Sequence, residues 1–228
     1  MKKLTVLSGA GISAESGIST FRDAGGLWEG HDIMEVASPQ GWDQNPSLVL
    51  DFYNKRRKEL LKVSPNSAHI DLVGLEQQFK VDIVTQNVDD LHERAGSTSV
   101  LHLHGELLKV RSINDPEHIV EWKKELNLGD LCPNRSQLRP HIVWFGEMVP
   151  MLEPAIKIVE KADIVLVIGT SLQVYPAASL ISYASQSAEI FYIDPHPFIS
   201  HELKIRKHTV INAVATEGMK QLRESHLK

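Results

Sequence analysis

The chain has 228 residues, 42% of them hydrophobic and 23% charged, with a formal net charge of −5 and one cysteine, Cys132. That length allows one large domain, or one with a smaller insertion, and the balance is that of an ordinary soluble globular protein. The negative charge disfavours nucleic acid as a partner, and one cysteine can make neither an internal disulfide nor, alone, a zinc site, so a reducing interior is expected.

The first apolar run, LTVL at 4–7, reads as a strand covered on both faces. It is too short for the apolar stretch of a secretory signal, and no run approaches the roughly 20 residues of a membrane span, so a cytoplasmic protein without membrane contact is expected. SGAGIS follows at 8–13. Gly9 and Gly11 carry no Cβ, so the backbone there can approach a pyrophosphate closely. The spacing is not G-x-G-x-x-G, because Ala14 stands at the third glycine position, and a plain tight turn accounts for it equally well. Of the next pair, Phe21 and Arg22, the arginine could supply charge to a phosphate or sit on the surface.

Residues 23–66 form a long excursion. Within it PSLVLDFYNKRRKELLKV, 46–63, has the helical period and places Leu48, Phe52, Leu60 and Leu61 near one face. Tyr53 and Arg56, three apart, also share a face, and with Lys55, Arg57 and Lys58 beside them composition describes a solvated basic surface. SAHIDLVGLEQQF, 67–79, predicts a helix capped by Ser67. VDIVT, 81–85, is a second buried strand, and TQNVDDLHERAG leads away from its C-terminal end, where α/β sheets bind ligands. There Gln86, Asn87 and Asp89 suit a carboxamide or ribose hydroxyls, or form a polar helix start capped by Asn87. VLHLHG, 100–105, puts His102 and His104 on one side of a strand. A metal pair lacks an obvious third ligand, whereas a single general base suits an imidazole at neutral pH.

Residues 106–140 are polar, with NDPEH and CPNRSQLRP as turn signals, and read as a small module inserted ahead of HIVWFGE. PAIKIVEKA and PAASLISYASQ predict helices with proline in the first turn. Between them DIVLVIGT, 163–170, is a third strand ending at Gly169, Thr170 and Ser171, a set suited to a phosphate or to an ordinary capped loop. EIFYID, 189–194, is a fourth strand with Asp194 at its end, a ribose acceptor or a turn aspartate; HTVINA, 208–213, is a fifth, and TEGMKQLRESH a closing helix. The alternation predicts an α/β fold over one unit, 1–228: a doubly wound parallel, Rossmann-like sheet with a helical insertion at 23–66 and the module at 106–140. Polar loops at the same end of successive strands predict one extended nucleotide cleft.

GAGISAESGISTFR, TQNVDDLHERAG, LHG, VWFGE and GTSLQVYPAA, in that order and over nearly the whole length, resemble the sirtuins, NAD-dependent protein-lysine deacylases. The resemblance implies that NAD is held by Gly9, Ala10, Gly11, Ala14, Glu15, Phe21, Arg22, Gln86, Asn87, Asp89, Gly169, Thr170, Ser171, Asp194 and Ala215. It implies His104 as catalytic base with Asn87 beside it, and Val143, Phe145, Gly146 and Glu147 as the strip along which an extended peptide pairs its backbone. The implied reaction consumes NAD. The acyl-lysine oxygen attacks C1′ of the nicotinamide ribose, nicotinamide leaves, His104 takes a proton from a ribose hydroxyl, and lysine and O-acyl-ADP-ribose are released. Tyr53 and Arg56 resemble the Tyr-x-x-Arg acyl-pocket signature of the class that removes succinyl and malonyl groups, in which a phenol and a guanidinium suit a terminal carboxylate. Acylated lysines of other proteins are the implied partners, and a monomer is expected.

The chain departs from the family pattern at three places. The usual four zinc cysteines are missing, since 106–140 holds Cys132 alone; no zinc is expected, and packing around Trp122, Leu126 and Leu131 is expected to hold the module. His102 stands where an acidic residue is frequent, and Asp194 where asparagine is. Mono-ADP-ribosylation of proteins on the same scaffold, and a non-catalytic NAD-sensing module, are the competing functions. A dehydrogenase is disfavoured by the glycine spacing and by the lack of a second substrate domain.

Overall fold

The computed structural model describes residues 1–20, 27, 28 and 30–227. The chain runs through β1 (Lys3–Ser8), α1 (Gly11–Ala14), β2 (Leu27–Trp28), β3 (His31–Asp32), α2 (Ile33–Val36), α3 (Pro39–Gln44), α4 (Pro46–Leu60) and α5 (Ser67–Leu75). It continues through β4 (Lys80–Thr85), α6 (Leu91–Ala95), β5 (Val100–His102), β6 (Gly105–Ser112), β7 (Ile119–Glu121), β8 (Leu138–Ile142) and α7 (Leu152–Val159). It ends with β9 (Ile164–Ile168), a 3₁₀ helix (Ala177–Tyr183), β10 (Glu189–Ile193), α8 (His201–Lys204), β11 (His208–Ile211) and α9 (Ala215–Ser225).

Six strands form the main sheet in the order β5-β4-β1-β9-β10-β11, all parallel. Such strands are apolar along their whole length because both faces are covered. Leu4, Val6, Leu166, Ile168, Phe191 and Ile193 pack towards Leu72 of α5 and Met219 and Leu222 of α9. The alternate residues Leu7, Val165, Val167, Ile190 and Tyr192 pack towards Ala155 and Val159 of α7, Ile181 of the 3₁₀ helix and Leu203 of α8. Each fully buried aliphatic side chain contributes about 1.5–3 kcal/mol. The chain winds outward from β1 to β5, then returns to β9 and winds outward the other way. The order therefore reverses between β1 and β9, and a crevice opens there at the C-terminal ends of the strands.

Several local expectations are corrected. Asn66, not Ser67, caps α5: its carbonyl accepts from the Ala68 amide at 3.0 Å, while its NH₂ donates to Ile12 O (2.8 Å) and Ser16 Oγ (3.0 Å). Only an amide offers both an acceptor for the cap and donors for the neighbouring loop. Helix α4 ends at Leu60, which leaves Leu61 exposed. The PAASLISY segment is 3₁₀ rather than α, with Pro176 just ahead of it.

Residues around 106–140 form the three-stranded antiparallel sheet β7-β6-β8, with Leu50 of α4, Val110, Leu126, Cys132 and Leu138 as its core. Leu126 is buried and Trp122 partly so, but Leu131 is exposed; Cys132 takes the inner position instead. Polar clamps from α4 do the rest. Asn54 pairs with Leu126 in both directions, accepting from its amide at 2.8 Å and donating to its carbonyl at 2.9 Å. Arg57, which composition assigns to a solvated basic face, is instead buried and donates to Leu107 O at 3.1 Å and Asn54 Oδ1 at 2.7 Å. Gln137 ties the outer loop, accepting from Gly129 N and donating to the Asn127 and Leu138 carbonyls.

Candidate active site

The strand register sets the site. Ile193, Ile168, Ser8, Thr85 and His102 are paired in succession across the sheet, so the C-terminal strand ends lie level. The predicted polar groups leave the sheet just past that line: Gly9–Gly11 after β1, Gln86–Asp89 after β4, His104 after β5, Gly169–Ser171 after β9 and Asp194 after β10. They meet in one cavity of about 720 Å³, which Tyr53 and Arg56 of α4 and the 143–147 strip close from the other side. That volume lies within the usual range for small-molecule sites. A second hollow of about 620 Å³ between α5 and α9, edged by Asp71, Lys220 and Arg223, holds none of these residues.

Ala10, Ala14, Glu15, Val143, Phe145, Gly146 and Glu147 also line the cavity. Ala215 does not; it is buried in the core, and its neighbour Val214 lines the cavity instead. Phe21 and Arg22 lie outside the described residues. Glu15 is engaged at the cavity edge, where its carboxylate accepts from Thr216 N (3.0 Å) and Thr216 Oγ1 (2.7 Å) at the start of α9.

The glycines serve first to bring two loops together. The Gly11 amide donates to Gly169 O at 2.8 Å and the Gly9 amide to Ile168 O at 3.1 Å, so both are used inside the protein. Gly169 has φ +64°, and a Cβ there would lie 2.2 Å from Ile12 N; a Cβ on Gly11 would lie 2.7 Å from Gly169 Cα. Only glycine lets the backbones touch in this way. Gln86 Nε2 donates to Thr170 Oγ1 at 3.0 Å, bridging the same loop to β4. Tyr192, which sequence reasoning missed, holds it from below: its hydroxyl donates to Thr170 O at 3.0 Å and accepts from Phe198 N at 3.1 Å.

His104 Nδ1 lies 3.0 Å from Gln86 O, and a carbonyl can only accept, so Nδ1 carries the proton and Nε2 is left as the basic nitrogen. Burial holds its pKa below the ordinary 6.5, despite the opposing Gln86 bond, which keeps the ring neutral at physiological pH. His102 is the opposite case. Nδ1 faces Asn87 O at 2.8 Å and Nε2 faces Glu93 Oε1 at 2.7 Å, so both nitrogens meet acceptors. Burial works against its charge, but the Glu93 carboxylate outweighs burial and the net shift is upward. Two histidines on one side of a strand end thus hold the successive carbonyls of Gln86 and Asn87, one ring neutral and the other inclined to be charged.

Beneath them runs a polar chain: Asn87 Nδ2 donates to Ser13 Oγ at 3.2 Å, and Ser13 Oγ donates to Asp89 Oδ2 at 2.9 Å. Burial pushes the Asp89 carboxyl upward, against the bonds from Leu91 N and Ser13. Asp194, also buried, accepts from His196 N at 2.8 Å. Ser13 had no signal of its own in the sequence beyond its place in the first loop.

The 143–147 strip is not a simple extended edge. It turns at residues 145–146. Four of its five amides are bonded within the protein: Val143 N to His104 O, Trp144 N to Glu147 Oε2, Phe145 N to Ala37 O and Glu147 N to Trp144 O. Backbone pairing by a peptide here would have to use other groups. Glu147 lines the cavity, yet its carboxylate is bound to Arg139 (2.7 and 3.1 Å) and Arg111 (3.2 Å). Trp144 is buried; its Nε1 donates to Tyr53 Oη at 3.0 Å, and burial pushes the Tyr53 phenol pKa well above its ordinary value. Among the described residues no group of three or more His, Cys, Asp or Glu is placed to hold a metal, and no helix is long and apolar enough to cross a membrane.

The Sir2 family model matches residues 9–176. The NAD-dependent protein deacylase of Helicobacter pylori is 65% identical over 201 residues, covering 88% of each chain. That of Bacteroides thetaiotaomicron is 53% identical, covering 98% of this chain and 97% of its own. Among solved structures, a Sir2 homolog–NAD complex is 40% identical with a TM-score of 0.86, over 98% of this chain and 88% of that one. A Sir2 bound to acetylated peptide is 27% identical with a TM-score of 0.81, over 99% and 94%.

Proposed function

The chain belongs to the Sir2 family, and from that premise we propose that it is an NAD-dependent protein-lysine deacylase whose acyl pocket takes carboxylate-tipped groups, succinyl or malonyl, alongside acetyl. The observation that carries the acyl reading is that Tyr53 and Arg56 line the same cavity as His104. Relatives named as deacylases, and a relative's complex with NAD, support the cofactor and the reaction class.

The residues present fit a dinucleotide. The interlocked loops 9–11 and 169–171 face the crevice at the switch point, and Asp194 and Asp89 offer carboxylates for ribose hydroxyls. When bound, NAD supplies a ribose carbon from which nicotinamide can depart and hydroxyls that can accept the acyl group. The chain supplies placement and proton handling. His104 takes a proton at Nε2, and the Gln86 carbonyl at Nδ1 stabilises the ring as it becomes charged. Asn87, with its amide fixed by Ser13 and its carbonyl by His102, orients what lies over β4. At the other side, Arg56 offers a forked cation and Tyr53 a phenol that stays protonated at any working pH.

The test compares acetyl-, malonyl- and succinyl-lysine peptides with and without NAD, in wild type and Arg56→Met. A carboxylate entering the pocket must shed water, and two charge-assisted hydrogen bonds return roughly 1.5–3 kcal/mol each. The succinyl-to-acetyl ratio of kcat/KM is expected to fall about tenfold to a thousandfold in the variant. An unchanged ratio would remove Arg56 from acyl recognition, and label on the protein in place of free lysine would favour ADP-ribosyl transfer.

A further inference from the structure

Three contacts hold Trp144 on three sides. Its amide donates to Glu147 Oε2 at 2.7 Å. The Arg139 guanidinium carbon lies 3.3 Å from the centre of its ring, and Arg139 is itself bound to Glu147 and to Ile142 O at 3.0 Å. The free edge of the indole then donates through Nε1 to Tyr53 Oη at 3.0 Å. Tyr53 is completely buried, with Phe52 edge-on at 5.1 Å, so its ring has little freedom to turn.

An indole N–H can only donate, whereas a phenol can donate or accept. The bond from Trp144 therefore occupies a lone pair of Tyr53 and directs the phenol proton away from Trp144. A cation stacked on the indole face draws electron density from it and strengthens the N–H as a donor. We propose that Trp144, braced by Arg139 and Glu147, is a positioning residue that makes Tyr53 a fixed donor to the acyl tip and so sets the preference for carboxylate-tipped over acetyl lysines. The proposal rests on the acyl-pocket reading above. A carboxylate only accepts, so a fixed donor rewards it; the methyl of an acetyl group gains nothing from one. A tyrosine free to turn its lone pairs towards the pocket would instead repel the carboxylate.

Trp144→Phe removes the N–H but keeps an aromatic ring under Arg139. KM and kcat for succinyl- and acetyl-lysine peptides are measured at saturating NAD in wild type, Trp144→Phe, Tyr53→Phe and the double variant. Trp144→Phe is expected to lower the succinyl-to-acetyl ratio of kcat/KM about five- to twentyfold, mainly through the succinyl KM, as loss of one uniform binding contact does. The double variant is expected to match Tyr53→Phe, because the two residues act through one hydroxyl. Arg139→Lys, which keeps the charge but not the planar stack, is expected to shift the same ratio in the same direction by less, and it decides the matter if Trp144→Phe does not fold. If Tyr53→Phe leaves the ratio unchanged, the pocket reading falls and the proposal with it. If Tyr53→Phe shifts the ratio but the Trp144 or Arg139 variant lowers both peptides alike, or the effects simply add, the pocket stands and the positioning role is overturned.

Discussion

Replacing Glu147 with glutamine tests the polar brace beneath the strip. The carboxylate accepts from Arg139 at 2.7 and 3.1 Å, from Arg111 at 3.2 Å and from Trp144 N at 2.7 Å. The two arginine side chains are only 14% and 10% exposed, and Glu147 is 20% exposed. Glutamine keeps the shape and one acceptor but turns an NH₂ towards a guanidinium and removes the negative charge. Breaking a buried ion pair from one side costs about 3–5 kcal/mol; partial exposure and the retained oxygen reduce this to about 2–4 kcal/mol. For a chain of this size each kcal/mol moves the melting point by roughly 2–4 °C, so Tm is expected to fall by about 5–15 °C at pH 7. The pH dependence has a definite sign. Burial raises the Glu147 pKa, but Arg139, the Trp144 amide and Arg111 outweigh it and the folded value lies below the ordinary 4.5. A depressed folded pKa gives stability that is fully present above the unfolded value and is lost as pH falls through the folded one. Calorimetry of both proteins from pH 7 into acid should therefore show a wide gap that closes below pH 4.5. A gap under about 2 °C at pH 7, or one that stays constant into acid, would refute the brace.

His104→Ala is expected to lower deacylation by about 10²–10⁴ while NAD still binds, as read by steady-state kinetics and NAD titration; near wild-type turnover would remove the histidine from its role. Because burial lowers its pKa and the neutral ring is the base, the acid limb of kcat/KM should lie below pH 6.5 in wild type. Gly169→Ala forces a Cβ to 2.2 Å from Ile12 N at φ +64°. The left-handed backbone and the overpacking together should cost about 2–5 kcal/mol and weaken NAD at least tenfold; a variant that melts and binds like wild type would show that the loops need not touch. Elemental analysis should find far less than one zinc per chain, with no effect of chelator on Tm, since Asn54, Arg57 and Gln137 hold the small sheet; one tight zinc per chain would contradict that account.

Continuous apolar runs such as LTVL, VDIVT and IVLVIG could only be strands buried on both faces, and their alternation with helical stretches left few options but a doubly wound sheet. Loop composition at the strand ends then named the polar groups that meet in the cavity, Gly9, Gly11, Gln86, Asn87, Asp89, His104, Gly169–Ser171 and Asp194, because β-strand geometry sends such residues to one edge; Tyr53, Arg56 and the 143–147 strip came from the family resemblance alone. What lay beyond sequence was every choice that depends on which chain segments meet. Arg57 and Arg56 are neighbours of one chemistry, yet one is a buried clamp and the other lines the cavity, because a helix turns successive residues about 100° apart and only the packed partner fixes which side is inside. At the start of α9 the extended N-cap residue Val214 lines the cavity, while Ala215, the first helical residue, turns into the core. The glycines announced a close approach, but not that Gly11 would meet Gly169, some 158 residues on, rather than a ligand. Glu147, Trp144 and Tyr53 form one unit although 91 residues separate the indole from the phenol. Side-chain chemistry is local and can be read from the chain; pairing across the core is set by tertiary contact, which no local pattern encodes.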